Sequence, residues 1–208
     1  MTEFRHVVRN RRMTRAFAPE GLDPALIDEF VDLASRAPSA GKTQGWHALV
    51  LEGPEQVGRY WDITLPIEKR ASFRWTQLLD APVLMIVLAD PDAYVERYGE
   101  PDKERTGLGA GTEAWPAPYW TIDASMAAMT ILLAAEDEGL GALFFGLFQN
   151  ESEVRQEFAV PDRLQIIGVI ALGLPAASGE PKEQARSADR PRRSPGEIIR
   201  RGRWQPSA

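Results

Sequence analysis

Residues 121–148 read TIDASMAAMTILLAAEDEGLGALFFGLF, a helix, a stop and a strand in sequence. Over 121–138, Ile122, Met126, Met129, Leu132, Leu133 and Ala135 leave almost no polar face. A helix apolar nearly all round is expected inside the fold or at an interface. Gly139 can take the left-handed conformation that ends a helix, and Ala142 to Phe148 then reads as a strand. Working outward, Val83–Ala89 is a continuous apolar run bounded by Pro82 and by Asp90-Pro91, as in a strand buried on both faces. His47–Leu51 and Gln165–Gly173 supply two more strands. Helices are expected from Asp23-Pro24 to before Pro38, where Asp23 can cap and Pro24 suits the first turn. Shorter helices are expected over 3–13, 55–61, 67–79 and from Asn150, with Glu153 three residues on, through Phe158. Helices lead and strands come singly between them, which is a layered α+β or α/β arrangement.

The chain has 208 residues, 44% hydrophobic and 26% charged, which is a globular composition long enough for one domain over 1–208. Cysteine is absent and His6 and His47 are the two histidines. That removes thiolate chemistry and argues against a histidine metal site or a Ser-His-Asp triad, so no metal is expected. No apolar run reaches the roughly 18 residues that span a bilayer, and MTEFRHVVRN lacks the apolar core of a secretory signal. The expectation is a cytoplasmic protein without a membrane partner.

The net charge of −6 is unevenly spread. Residues 1–17 hold five Arg and one Glu; residues 180–208 hold eight basic and four acidic residues; the stretch between holds 11 basic and 25 acidic. The first basic end contains Asn10-Arg11-Arg12-Met13-Thr14-Arg15-Ala16-Phe17. Three guanidinium groups in five residues suit a phosphate, which they can bind in bidentate fashion; a solvated basic stretch or a nucleic-acid patch is the competing reading. Ala37-Pro38-Ser39-Ala40-Gly41-Lys42-Thr43-Gln44-Gly45-Trp46-His47 is a loop of small residues through which backbone could approach a flat ligand, or a plain connection. It does not match the phosphate-loop pattern G-x-x-x-x-G-K-[ST]. Residues 91–120 carry Pro, Gly and several aromatics with no sustained period, and Trp115, Tyr119 and Trp120 favour a functional excursion over disorder.

Arg11-Arg12-Met13-Thr14-Arg15-Ala16-Phe17, followed by Pro38-Ser39-Ala40-Gly41-x-x-Gln44-x-Trp46, resembles the opening of the FMN-dependent nitroreductase family. Leu132–Ala135 running into Gly139–Ala142, then Phe144-Phe145-Gly146, Ile170–Pro175 and Arg192-Arg193, continue the resemblance in the family's order over nearly the whole chain. The family's Ser stands as Met13 here, its Asn as Lys42 and its Pro before Trp as Gly45. The position where the family often offers an amide to the flavin falls near Arg74 or Gln77.

The resemblance implies an α+β, three-layer fold with a central, mostly antiparallel sheet flanked by helices. It implies a variable lid at 91–120 and an extended C-terminal arm at 176–208 reaching the partner subunit. It further implies FMN at a homodimer interface, with NADH or NADPH as electron donor and flat electron-poor acceptors such as nitroaromatics and quinones. The flavin carries the chemistry and no catalytic side chain need be assigned. Arg11, Arg12, Met13 and Arg15 would then hold the phosphate, ribityl chain and polar ring edge, with Arg192 and Arg193 arriving from the arm. Pro38, Ser39 and Ala40 would touch the ring from the partner subunit. Phe144, Phe145 and Gly146 would line its other face, with Gln77 nearby, and Trp115, Tyr119 and Trp120 are candidates for substrate stacking. A reductive dehalogenase, a flavin-modifying relative, or a flavin-binding protein without turnover would use the same scaffold. A nucleic-acid module would need base-stacking aromatics interleaved with the basic ends, where few occur.

Overall fold

Val83–Ala89 forms β2, and every one of its residues is buried. Its side chains alternate between two separate cores. Val83, Met85, Val87 and Ala89 pack into one, and Leu84, Ile86 and Leu88 into the other. A strand apolar on both faces requires a layer on each side. Helices α2 (Pro24–Ala34) and α6 (Tyr119–Asp137) supply one layer through Ile27, Phe30, Ala127, Ala128 and Ile131. Helices α3 (Gly53–Thr64) and α7 (Glu151–Glu157) supply the other through Val57, Tyr60, Trp61 and Val154.

The sheet also contains β1 (Trp46–Glu52), β3 (Gly141–Phe145) and β4 (Gln165–Gly173), in the order β1-β2-β4-β3, with every pairing antiparallel. The expected three-layer α+β fold is therefore the observed one. The remaining helices are α1 (Phe4–Asn10), α4 (Ile67–Arg70), α5 (Pro91–Tyr98) and α8 (Pro195–Ile198). The computed structural model describes residues 3–177 and 190–204; the parts of the expected arm at 178–189 and 205–208 lie outside the described residues. Among the described residues no helix is long and apolar enough to cross a membrane.

Several expectations need correction. The helix expected over 67–79 ends at Arg70; a single 3-10 turn at Thr76–Leu78 follows. Phe73 and Trp75 lie between the two helical pieces and point their rings into a cavity described below. The strand expected to Phe148 stops at Phe145, because the chain folds back: the Phe148 ring lies only 2.5 Å from where a Cβ on Gly146 would stand. Asn150 does begin α7, but in a left-handed conformation and with no side-chain cap; its amide donates to Ile63 O instead, at 2.6 Å. The segment 91–120 is not aperiodic throughout. It opens with α5, capped by the Asp90 carboxylate, and continues through three 3-10 turns. In the arm, 195–198 is helical rather than extended, with a Ser194/Glu197 capping box.

Candidate active site

The Arg-rich segment is held against the outer edge of the sheet. Thr14 N–H donates to Ala142 O at 2.9 Å, and Met13 bridges to Ala142 in parallel fashion. The Met13 sulfur accepts from Phe144 N–H at 3.5 Å, so the residue that replaces the family's serine still tethers this loop to β3. Phe17, buried at 1%, and Ala18 anchor the far end through Gln77 O and Leu174 O. The approach demands glycine at 141: a Cβ there would stand 2.7 Å from Thr14 Cγ2.

This arrangement brings Arg15 beside Phe144, Phe145 and Gly146, residues about 130 positions away in the chain, around one cavity of about 360 Å³. Tyr60, Trp61, Thr64 and Leu65 from the end of α3, and Phe73, Trp75 and Leu78 from the following segment, complete the wall. The Trp61 and Phe145 rings are parallel within 8°, with centroids 5.9 Å apart. The Arg15 and Arg74 guanidinium carbons each lie 5.5 Å from the Trp75 ring centroid, which puts two cationic groups beside this wall of the cavity.

Three donors in this region are buried without an acceptor: Arg11 Nη1, Trp61 Nε1 and Trp75 Nε1. A buried N–H left unpaired costs about 1–3 kcal/mol, and more when charged. Two of the three line the cavity. Arg11 is half-buried at the end of α1, and Arg12 is exposed.

The second loop is built in the opposite way. Its Ala40 N–H donates to Asp123 Oδ2 at 2.8 Å, and Tyr94 Oη donates to the same oxygen at 2.7 Å. Asp123 is 5% exposed. Burial, reinforced by the neighbouring Asp123 carboxylate, raises the Tyr94 hydroxyl pKa well above the ordinary tyrosine value. Arg97 Nε donates to Gly41 O at 3.0 Å while its guanidinium grips Asp102 at 2.7 and 2.8 Å. Gln44 closes the loop through Ser39 Oγ and Ser35 O. Lys42 and Gln44 take positive φ of 55° and 53°, a strained conformation for residues with a side chain. Pro38, Ser39 and Ala40 do not line the cavity of their own chain.

Sequence reasoning missed Asp123, Tyr94, Trp61 and Trp75. A single charged residue in the otherwise uncharged stretch 121–135 was the visible signal for Asp123. The two indoles carry no comparable signal, since tryptophans in amphipathic segments usually serve as packing.

The aromatic candidates in 91–120 divide by burial. Trp115 is 8% exposed, packed among Tyr94, Tyr98, Tyr119 and Trp120, and its N–H donates to Leu108 O at 3.0 Å. It packs the segment internally. Trp120 donates to Gln165 Oε1 at 2.9 Å, and Tyr119 is 38% exposed. In the C-terminal segment, Arg192 and Arg193 are exposed, neither lines the cavity, and Arg193 donates to Glu197 O of α8. His47 faces Asp90 across 3.8 Å at the start of β1, a structural position.

Known proteins resemble this chain in sequence and in fold. A Nocardioides 4-nitrobenzoate reductase is 29% identical over 198 residues, covering 82% of this chain and 79% of that protein. A Methanothermobacter thermautotrophicus protein, provisionally named NADH dehydrogenase/NAD(P)H nitroreductase, is 29% identical over 172 residues, covering 81% and 75%. The crystal structure of a nitroreductase-like protein from Streptococcus mutans superposes with a TM-score of 0.74 at 17% identity over 95% and 97% of the two chains, a likeness of fold. The family model for the nitroreductase family matches residues 8–174, from the Arg-rich segment to the last core strand, and the chain belongs to that family.

Proposed function

We propose that this chain is an FMN-dependent oxidoreductase that works as a homodimer with NADH or NADPH as donor. The observation that carries the reading is the shared cavity. Arg15 and Phe144-Phe145-Gly146, from distant parts of the sequence, border one cavity with an aromatic wall and a guanidinium group beside it. The residues present fit the cofactor. Arg11 carries a buried, unpartnered donor suited to a phosphate oxygen, and the cavity beside β3 suits a flat ring with a polar edge.

When bound, the flavin takes hydride equivalents from the nicotinamide and passes them to flat electron-poor acceptors such as nitroaromatics and quinones. Everything else is the work of the chain. Arg11 and Arg12 bind the phosphate, joined by Arg192 and Arg193. Met13 holds the loop in register with β3. Arg15 and Gln77 meet the polar edge of the ring. The backbone at Phe144–Gly146 closes one face and excludes water from it. Pro38, Ser39 and Ala40 meet the ring of the partner subunit, braced from behind by Asp123.

Dimerisation is supported by the apolar residues that α2 and α6 leave exposed: Leu33, Met126 and Met129 are 41–42% accessible. In this reading 1–208 is one domain, 91–120 covers the site with Tyr119 and Trp120 nearest to substrate, 176–208 reaches the partner, and the protein acts in the cytoplasm. The purified protein should be yellow, or become so with FMN, and bleach under NADH or NADPH without oxygen. A colourless protein that takes up no FMN defeats the reading; a yellow one that neither nicotinamide bleaches defeats the catalytic part of it.

A further inference from the structure

Two of the residues that line the cavity beside β3 carry donors that the fold does not use. Trp61 is 6% exposed, and its Nε1 and that of Trp75 are both buried with no acceptor. Native structures keep few such groups, and each calls for an explanation in a ligand, an ion or a water. An indole N–H only donates, so what is missing is an acceptor.

The surroundings narrow the choice. Trp61 and Phe145 lie parallel, Phe73 meets Trp75 edge-on at 5.9 Å, and Leu78 and Leu143 are buried in the same wall. The Trp61 and Phe145 rings stack on each other and leave no gap between them, so a flat ring would lie against the aromatic wall that they make. Guanidinium groups of Arg15 and Arg74 stand over the Trp75 ring, so partial negative charge is favoured at that corner. A flat ring with electron-rich carbonyl oxygens along one edge satisfies each requirement, and the pyrimidine edge of a flavin has two.

We propose that Trp61 and Trp75 donate their indole N–H groups to the pyrimidine carbonyl oxygens of FMN, at the place where a side-chain amide was expected near Arg74 or Gln77. The assignment rests on the FMN reading above and goes further by giving this chain its own ring-edge donors. It has an electronic consequence. Donors at those oxygens favour the extra negative charge that the ring system carries after reduction, so they raise its potential.

The test uses the full chain, labelled with ¹⁵N and freed of flavin. The chain has six tryptophans, hence six indole N–H signals, and Trp61→Phe and Trp75→Phe identify two of them. Adding FMN should move those two downfield. Lumiflavin, which has the ring but no phosphate, should reproduce the movement. Each Phe variant keeps an aromatic ring and removes the donor, and should bind FMN about tenfold more weakly. If the reduced form loses tenfold more affinity than the oxidised form, the potential falls by about 30 mV. Should Trp61→Phe fail to fold by circular dichroism, the wild-type spectra and Trp75→Phe still decide. Bound FMN with both signals unmoved, and with affinity and potential unchanged in the variants, overturns the assignment and leaves the FMN reading standing. No FMN binding in the wild type overturns both.

Discussion

The two loops that the sequence marks as ligand-facing are built on opposite plans. Around Ala40, the named polar groups are tied down: Asp123 accepts from Ala40 and Tyr94, Arg97 reaches Gly41 O, and Gln44 bonds to Ser39 and Ser35. In the cavity wall and at the end of α1, three N–H donors are buried without acceptors. A loop whose polar groups are satisfied within the chain offers shape, and a wall with buried donors left over offers affinity. On this comparison residues 38–44 form a braced surface, and Arg11, Trp61 and Trp75 are the proposed receptor. Stability measurements on the flavin-free protein can separate the two, because a satisfied bracing bond stabilises the fold and a buried donor without an acceptor does not.

The largest effect is expected at Asp123. Replacing it with Ala removes two hydrogen bonds to a buried carboxylate and strands the Tyr94 hydroxyl and the Ala40 N–H. Bonds to charged groups contribute about 1.5–3 kcal/mol each, so Asp123→Ala should cost about 3 kcal/mol in urea unfolding at pH 7. A loss below about 1 kcal/mol would show that the Ala40 loop is not braced through α6.

Tyr94 comes next. Tyr94→Phe should cost about 1.5 kcal/mol at pH 7, through one lost bond to a carboxylate. It also has a pH signature. Unfolded tyrosine releases its proton near pH 10.0, whereas burial holds the Tyr94 proton on in the folded state to higher pH. Above pH 10 the unfolded chain therefore binds fewer protons than the folded one, and stability falls as the pH rises; below pH 10 the effect is absent. The slope approaches about 1.4 kcal/mol per pH unit for one such group. Tyr60, also raised by burial, adds a second. Unfolding between pH 9 and pH 11 should be less steeply pH-dependent in Tyr94→Phe than in the wild type, with the Tyr60 part remaining. An identical slope would mean that the Tyr94 hydroxyl is not held in its neutral form.

The same contrast explains which features could be read from sequence. Asp23-Pro24 and Asp90-Pro91 are the same signal, and both aspartates cap helices, at 2.9 Å to Ala25 N and 3.4 Å to Ala93 N. Only the first is followed by a strong apolar period. In α5 a single residue, Tyr94, is buried, so that helix is defined by tertiary contacts. The buried run of β2 was legible because both of its faces are core. The Arg-rich segment was legible because charge in a short stretch is conspicuous, and Met13, Arg15, Phe144 and Gly146 do come together at β3. Trp61 and Trp75 were not legible because an unpaired donor is a property of surroundings. Nothing in a linear chain distinguishes an indole with an acceptor from one without.

The smallest expected change in stability is at Arg11, where the comparison is most exposed to failure. Its Nη1 is buried and unpartnered, so the fold bears a desolvation cost that Arg11→Ala removes. The substitution also loses the packing of the arginine stem, which acts in the other direction. The two nearly cancel, and the flavin-free variant should unfold within about 0.5 kcal/mol of the wild type. FMN retention, followed by the return of free-flavin fluorescence on dilution, should weaken at least tenfold, roughly the effect of losing one charge-assisted hydrogen bond to a phosphate oxygen. A variant destabilised by 2 kcal/mol that holds FMN as tightly as before would make Arg11 a brace like Asp123. The difference between the two loops would then disappear.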